Sequence, residues 1–294
     1  MYGNNNDKSA WVGMAYGLVG VGLFSLTLPV TRVAVAELNP FFISVGRAAG
    51  AGLLGAALLL LTRQPFPKGT QMVKLAGVSL GVVFGFPFFS SVAMETVPAS
   101  HGGVVLGLLP LATAVAGFVF GGERPGIAFW VTACAGSAVV CVFSLMKGGG
   151  SLQVGDIWLV ASIVCAAVGY ALGGLLARTM GGWQVICWAL VIALPISLPP
   201  FVYATLTMNT SPSHKAWIAF GYLMVFSQFL GFFAWNKGLA IGGVARVGMT
   251  QLVQPFLTMA AAAFWFAEVV SLPEITAAVA VCAAVAFSKR LVIR

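Results

Sequence analysis

Charge is what this sequence has least of. Its 294 residues include only 15 Lys and Arg and 7 Asp and Glu, or 7% charged, where soluble domains carry about 25%. With 60% of residues apolar, that supply cannot cover a water-soluble surface of this size, so a soluble enzyme is excluded. Histidine is nearly absent, occurring only at His101 and His214. The five cysteines (Cys134, Cys141, Cys165, Cys187 and Cys282) lie singly within apolar runs and lack CxxC spacing, which argues against a disulfide framework and a metal site. There is no HExxH motif and no pair of intramembrane aspartates, so an intramembrane enzyme is not expected, nor any cofactor. Filter loops and pore rings, which a channel requires, are also lacking. All seven carboxylates fall at or near the ends of apolar runs, where none is placed as a proton relay normally is. The nearest candidate for proton coupling is a His101/Glu95 pair across a turn, and facilitated export down a gradient fits at least as well.

What the chain does have is apolar length. Apolar runs divided by polar, Gly or Pro residues predict ten spans, at 10–35, 41–61, 71–94, 98–120, 126–146, 155–177, 183–205, 215–236, 243–266 and 273–288. Backbone polar groups must be paired within lipid and the runs are too long for strands, so an all-α membrane protein is expected. The first run lacks a cleavage site and is read as a retained span rather than a signal peptide. Net charge is +8, but the cations are spread singly through connectors instead of clustering on one face, which points to topology and away from nucleic acid. Lys8, Arg63, Lys68, Lys74, Arg124, Arg178, Lys237, Lys289, Arg290 and Arg294 fall on one side, against Arg32, Lys147 and Lys215 on the other. The positive-inside rule then places both termini in the cytoplasm.

A shift of 145 residues lays GVVLGLLPLATAVAGFVFGGE on GMTQLVQPFLTMAAAAFWFAE. Gly103 meets Gly248, Pro110 meets Pro255, Thr113 meets Thr258, Ala116 meets Ala261 and Glu123 meets Glu268. A proline within a helix is unfavourable, so its recurrence at a matched position argues for duplication. The halves are 10–146 and 155–288, each of five spans, and an odd number makes them insert in opposite orientations. Inverted repeats characterise secondary transporters, whose sites lie near the midplane between the halves.

The segments PASHGGVVLGLLPLATAVAGFVFGGERP (98–125), GGVARVGMTQLVQPFLTMAAAAFWFAE (242–268) and NPFFISVGRAAGAGLL (39–54) resemble the drug/metabolite transporter superfamily in its EamA-domain branch. Within the branch the chain is most similar to the YddG-type exporters of aromatic and other amino acids. The resemblance implies a ten-helix, alternating-access carrier in a bacterial inner membrane, with the bilayer and a small solute as partners and a monomer favoured. It also makes drug-like cations, or a nucleotide-sugar-type solute, the alternative cargo. The second repeat departs from the first after its glutamate, with Glu268-Val269-Val270 against Glu123-Arg124-Pro125.

Several side chains stand out as solute ligands. Arg47 lies seven residues into the second span, where it serves either the solute or a structural pair with Glu37. His101 and Arg246 occupy matched places at span starts, where helix N-termini attract a carboxylate or the two groups face interfacial water. The third span has Gly77, Gly81 and Gly85 on one face, with Pro87 and phenylalanines including Phe89; its counterpart has Phe226, Phe229, Phe232, Phe233 and Trp235, with Gln228 among them. Packing or an aromatic solute cavity both explain such a set, and Trp235 and Tyr170 each have a polar handle. Gln251 and Gln254 precede Pro255 and either bond between helices or hold a solute amide or hydroxyl. The expected binding set is therefore Trp235, Tyr170, His101, Gln254, Arg47, Phe89, Gln251 and Arg246, with Pro110, Pro255, Glu123, Glu268, Gly81 and Gly85 as structural or gating residues.

Overall fold

The computed structural model describes residues 3–97, 102, 105–148, 154–208 and 211–257, together with single positions 276, 279, 280, 283 and 287. His101, Glu268, most of the tenth expected span and the later part of the ninth fall outside the described residues. Every described element is a helix: α1 (Gly3–Phe24), α2 (Thr27–Val35), α3 (Pro40–Leu61), α4 (Thr70–Val78), α5 (Phe86–Thr96), α6 (Leu109–Gly121), α7 (Ile127–Gly148), α8 (Val154–Met180), α9 (Gly182–Leu206), α10 (His214–Tyr222), α11 (Gly231–Gly242) and α12 (Val244–Gly248). Among the described residues, six stretches are long and apolar enough to cross a membrane: Ser9–Val35, Pro40–Leu61, Thr70–Thr96, Val154–Met180, Gly182–Leu206 and His214–Gly242. Their outer faces are apolar as well. Leu61, Leu206 and Val154 are each at least 75% exposed, as expected where lipid replaces water.

Local chemistry sets the ends of these helices. The Asn39 side chain accepts a hydrogen bond from the Phe41 N–H at 2.8 Å, and Pro40 fills the first turn, where a missing N–H costs nothing. Gly122 closes α6 in the left-handed conformation (φ 65°). Arg32 donates to the carbonyls of Met94 and Glu95, placing a cation on the free C-terminal end of α5.

The two sequence halves interlock reciprocally. α1 packs on α11, and α8 packs on α4–α5, so the first span of each half lies against the third span of the other; α3 packs on α9, second span against second. Close approach at glycine makes this possible. A Cβ on Gly13 would stand 2.5 Å from the Gly242 Cα, and one on Gly81 would stand 2.5 Å from the Cys165 carbonyl oxygen. The connectors sort into two groups. Glu123 meets the Val244 region and Arg178, and Gln184 donates to Gln64. At the other group Glu37 meets Ser213 and Arg32 meets the end of α5.

Several of the described spans are helical but not regular throughout. The first span breaks at Ser25–Leu26, between α1 and α2. The third and eighth spans each contain a wider, π-helical segment, Ser79–Gly85 and Leu223–Leu230. A turn at Gly107–Leu108 precedes α6, so Pro110 sits in the first turn of a helix and not in its interior, and residues Met249–Val253 tighten into a 3-10 helix. Such irregular backbone persists at membrane depth only where protein or a cavity takes its polar groups.

Candidate solute-binding site

The irregular segments converge on one cavity. Its wall includes Phe24, Thr27 and Leu28 from around the first break, Val82 and Phe86 from the first π-helical segment and its exit, and Ser227 and Gln228 from the second. Leu106 and Leu109 flank the turn before α6, and Gln254 ends the 3-10 helix. Arg47 of α3, Tyr170 of α8 and Phe232 of α11 complete the described wall. Counting the space at its opening, the cavity has about 390 Å³ of empty volume.

Arg47 is the charged residue of the wall and is 1% exposed. Its Nη2 donates to the Ser227 Oγ at 2.9 Å, and that hydroxyl is shared with the Thr27 Oγ1, also at 2.9 Å. Among the described residues, its Nε and Nη1 have no hydrogen-bond partner. The alternative reading, a structural pair with Glu37, is not what forms. The Glu37 carboxylate instead accepts from the Ser213 Oγ at 2.7 Å and the Ser213 N–H at 2.6 Å, and these bonds, the side-chain one first, hold its carboxyl below the usual carboxylate range. A buried cation with open N–H groups is unfavourable, each unmet donor costing about 1–3 kcal/mol, so the arrangement favours an anionic occupant.

The aromatic part of the wall is a cluster. Phe24 lies 5.1 Å from Phe232, and Tyr170 lies 6.0 Å from Phe232 and 5.1 Å from Trp235. Trp235 stands behind these rings, fully buried, and is not part of the wall; its Nε1 has no partner among the described residues. Of the other expected ligands, Tyr170, Arg47 and Gln254 do meet at the cavity, where Gln254 also donates to the Phe24 carbonyl at 3.4 Å. Gln251 instead bonds to Thr113 Oγ1 and the Gly248 carbonyl, Phe89 stacks on Trp158 at 5.8 Å, and Arg246 lies on α12 away from the wall. His101 lies outside the described residues.

The residues expected to be structural or gating also take definite places among the described residues. Both oxygens of Glu123 accept backbone N–H groups at the start of α12, from Val244 at 2.7 Å and Ala245 at 2.8 Å, while Arg178 stands 3.3 Å from the same carboxylate. This latch ties the end of α6 to α12 and α8. Gly81 and Gly85 permit the approach of α8, since a Cβ on Gly85 would lie 2.6 Å from the Cys165 Sγ. Pro110 and Pro255 each follow a residue of the wall, Leu109 and Gln254.

The sequence reading did not single out Thr27, Ser227, Leu106, Leu109, Phe24 or Phe86, and mentioned Gln228 only in passing. A signal for the level of the cavity was nonetheless present. Leu28, Phe86, Leu109 and Gln254 each stand immediately before a proline, at positions 29, 87, 110 and 255. An intramembrane proline removes a donor and disturbs the helix, so four of them mark the depth at which the backbone opens.

The profile of the EamA-like transporter family matches this chain twice, over residues 11–145 and 153–289. The chain belongs to the EamA-like transporter family. It is 42% identical over 286 residues to the uncharacterized transporter YdeK of Bacillus subtilis, covering 97% of this transporter and 99% of that protein. It is 24% identical over 251 residues to the aromatic amino acid exporter YddG of Ancylobacter novellus, covering 82% and 84% of the two chains. A protein crystal structure at 21% identity superposes with a TM-score of 0.75 over 94% of this transporter and 97% of that chain, a likeness of fold. The protein is therefore a multi-pass membrane transporter with a bilayer around it and a small solute as cargo.

Proposed function

We propose that the transporter exports amino acids with aromatic or apolar side chains, by alternating access between two inverted five-span halves. The observation that carries this reading is a cavity in which a buried, partly unpaired Arg47 faces Phe24, Phe86, Phe232 and Tyr170. Such a wall offers one cationic anchor for a carboxylate and aromatic surface for a side chain. The aromatic amino acid exporter among its relatives agrees with that solute. Ten spans, an inner-membrane location and cytoplasmic termini complete the proposal, supported by the cation bias of the connectors and by the way the connectors sort into two groups.

Export is tested by expressing the transporter in cells challenged with toxic analogues of aromatic amino acids, and by flux in liposomes with and without a pH gradient. Raised tolerance and saturable flux of tryptophan or phenylalanine are expected. If tolerance is unchanged and only a quaternary-ammonium drug or a nucleotide sugar moves, the solute assignment is wrong.

A further inference from the structure

The cavity carries more information than a cation among aromatic rings, because the π-helical segment before Pro87 fixes which end of Gln228 faces the solute. Within Ser79–Gly85 the register is shifted, and the Phe86 N–H reaches back to the Gly81 carbonyl instead of that of Val82. In that register the next donor, the one due to Val82, belongs to residue 87, which is proline and has no N–H. The Val82 carbonyl is thus orphaned inside the membrane, and the Gln228 Nε2 donates to it at 3.0 Å across the interface between the halves. With its NH2 committed to a carbonyl, the amide must turn its Oε1 the other way. That oxygen is buried and has no partner among the described residues, and Gln228 lines the cavity.

Beside it, Ser227 holds one nitrogen of Arg47, leaving Nε and Nη1 open. The site therefore presents two open donors on a permanent cation and one open neutral acceptor, and the described wall has no carboxylate. We infer that Arg47 and Gln228 form a headgroup subsite for α-amino acids, with the solute carboxylate on Arg47 and its ammonium donating to the Gln228 Oε1. This rests on the amino-acid reading above and adds the residue that recognises the amine. A zwitterion satisfies all three open groups and balances the buried charge. A free acid leaves the amide oxygen unmet, and an amine without a carboxylate places a second cation beside Arg47.

The test uses the full-length transporter in liposomes, with labelled tryptophan and three competitors: tryptophan, indole-3-propionate and tryptamine. In the wild type, tryptophan should compete best, indole-3-propionate about tenfold less well, and tryptamine not measurably. Gln228→Leu should bring tryptophan and indole-3-propionate to within about threefold of each other by weakening tryptophan. Gln228→Glu, which adds a negative charge next to Arg47, should admit tryptamine. The wild-type competition already bears on the inference without any variant: equal competition by tryptamine and tryptophan overturns it while leaving amino-acid transport standing. A tryptophan preference that survives Gln228→Leu in a folded, monodisperse protein overturns it as well. Failure of the wild type to move any amino acid removes this inference together with the reading it rests on.

Discussion

Trp235 and Tyr170 are neighbours in one aromatic cluster, 5.1 Å apart, yet only Tyr170 reaches the cavity wall. Their shared chemistry, a large ring with one polar atom, made them equal candidates in the sequence; burial separates them. Trp235 lies against Phe24 and Tyr170 at edge-on angles and against the Gly20 backbone, and is 0% exposed. Replacing it with alanine should leave a void costing about 3–5 kcal/mol and lower the amount of folded transporter. Tyr170→Ala removes solute surface directly and should raise half-saturation by about tenfold. Flux against tryptophan concentration, normalised to protein in the membrane, distinguishes the two. A Trp235→Ala half-saturation displaced as far as that of Tyr170→Ala would return Trp235 to the binding surface.

At the scale of elements, the best-defined contact between the end of α6 and its neighbours is made by Glu123. Its carboxylate accepts two N–H groups from the first turn of α12 and faces Arg178, joining three elements that must separate if this end is to open. Hydrogen bonds to a charged group are each worth about 1.5–3 kcal/mol, so losing both should shift the balance of states measurably. In Glu123→Ala, with the native cysteines replaced, a cysteine introduced at Leu109 on the cavity wall should react at least about tenfold faster with a membrane-impermeant thiol reagent. An unchanged rate would show that the latch does not govern access. The latch was legible in part: the spacing of Pro110 and Glu123 and its recurrence in the second half marked the residue, but nothing local revealed that its partner is the backbone of Val244 and Ala245, more than 100 positions away. Span positions were legible for a simpler reason, since membrane thickness fixes the length of an apolar run. The cavity wall was the least legible part. It is built from helix breaks and register shifts, and apolar composition does not record whether a carbonyl pairs four or five residues ahead. Only the prolines at 29, 87, 110 and 255 left a trace of it.

For the whole molecule, the family profile matches twice, and one packing arrangement occurs in two places. The first span of each half lies on the third of the other, so whatever loosens one interface has a counterpart across the molecule, the relation that alternating access uses. Five spans per half would send the second copy through the membrane in reverse, and the contacts between connectors agree with that course. The group containing Glu123, Arg178 and Val244 also includes the loop of Arg63 and Lys68, while the group containing Glu37 and Ser213 includes Arg32 and Lys215. The cations are divided in the same sense, with more of them at the Lys68 end than at the Lys215 end. Single cysteines placed beside Lys68 and beside Lys215, in a transporter without its native cysteines, should therefore label from opposite faces of the membrane. In intact cells an impermeant reagent should reach the site beside Lys215, and in inverted vesicles the one beside Lys68. Labelling of both from the same face would require an odd number of crossings between them to be lost, and with it both the ten-span count and the opposed insertion of the halves.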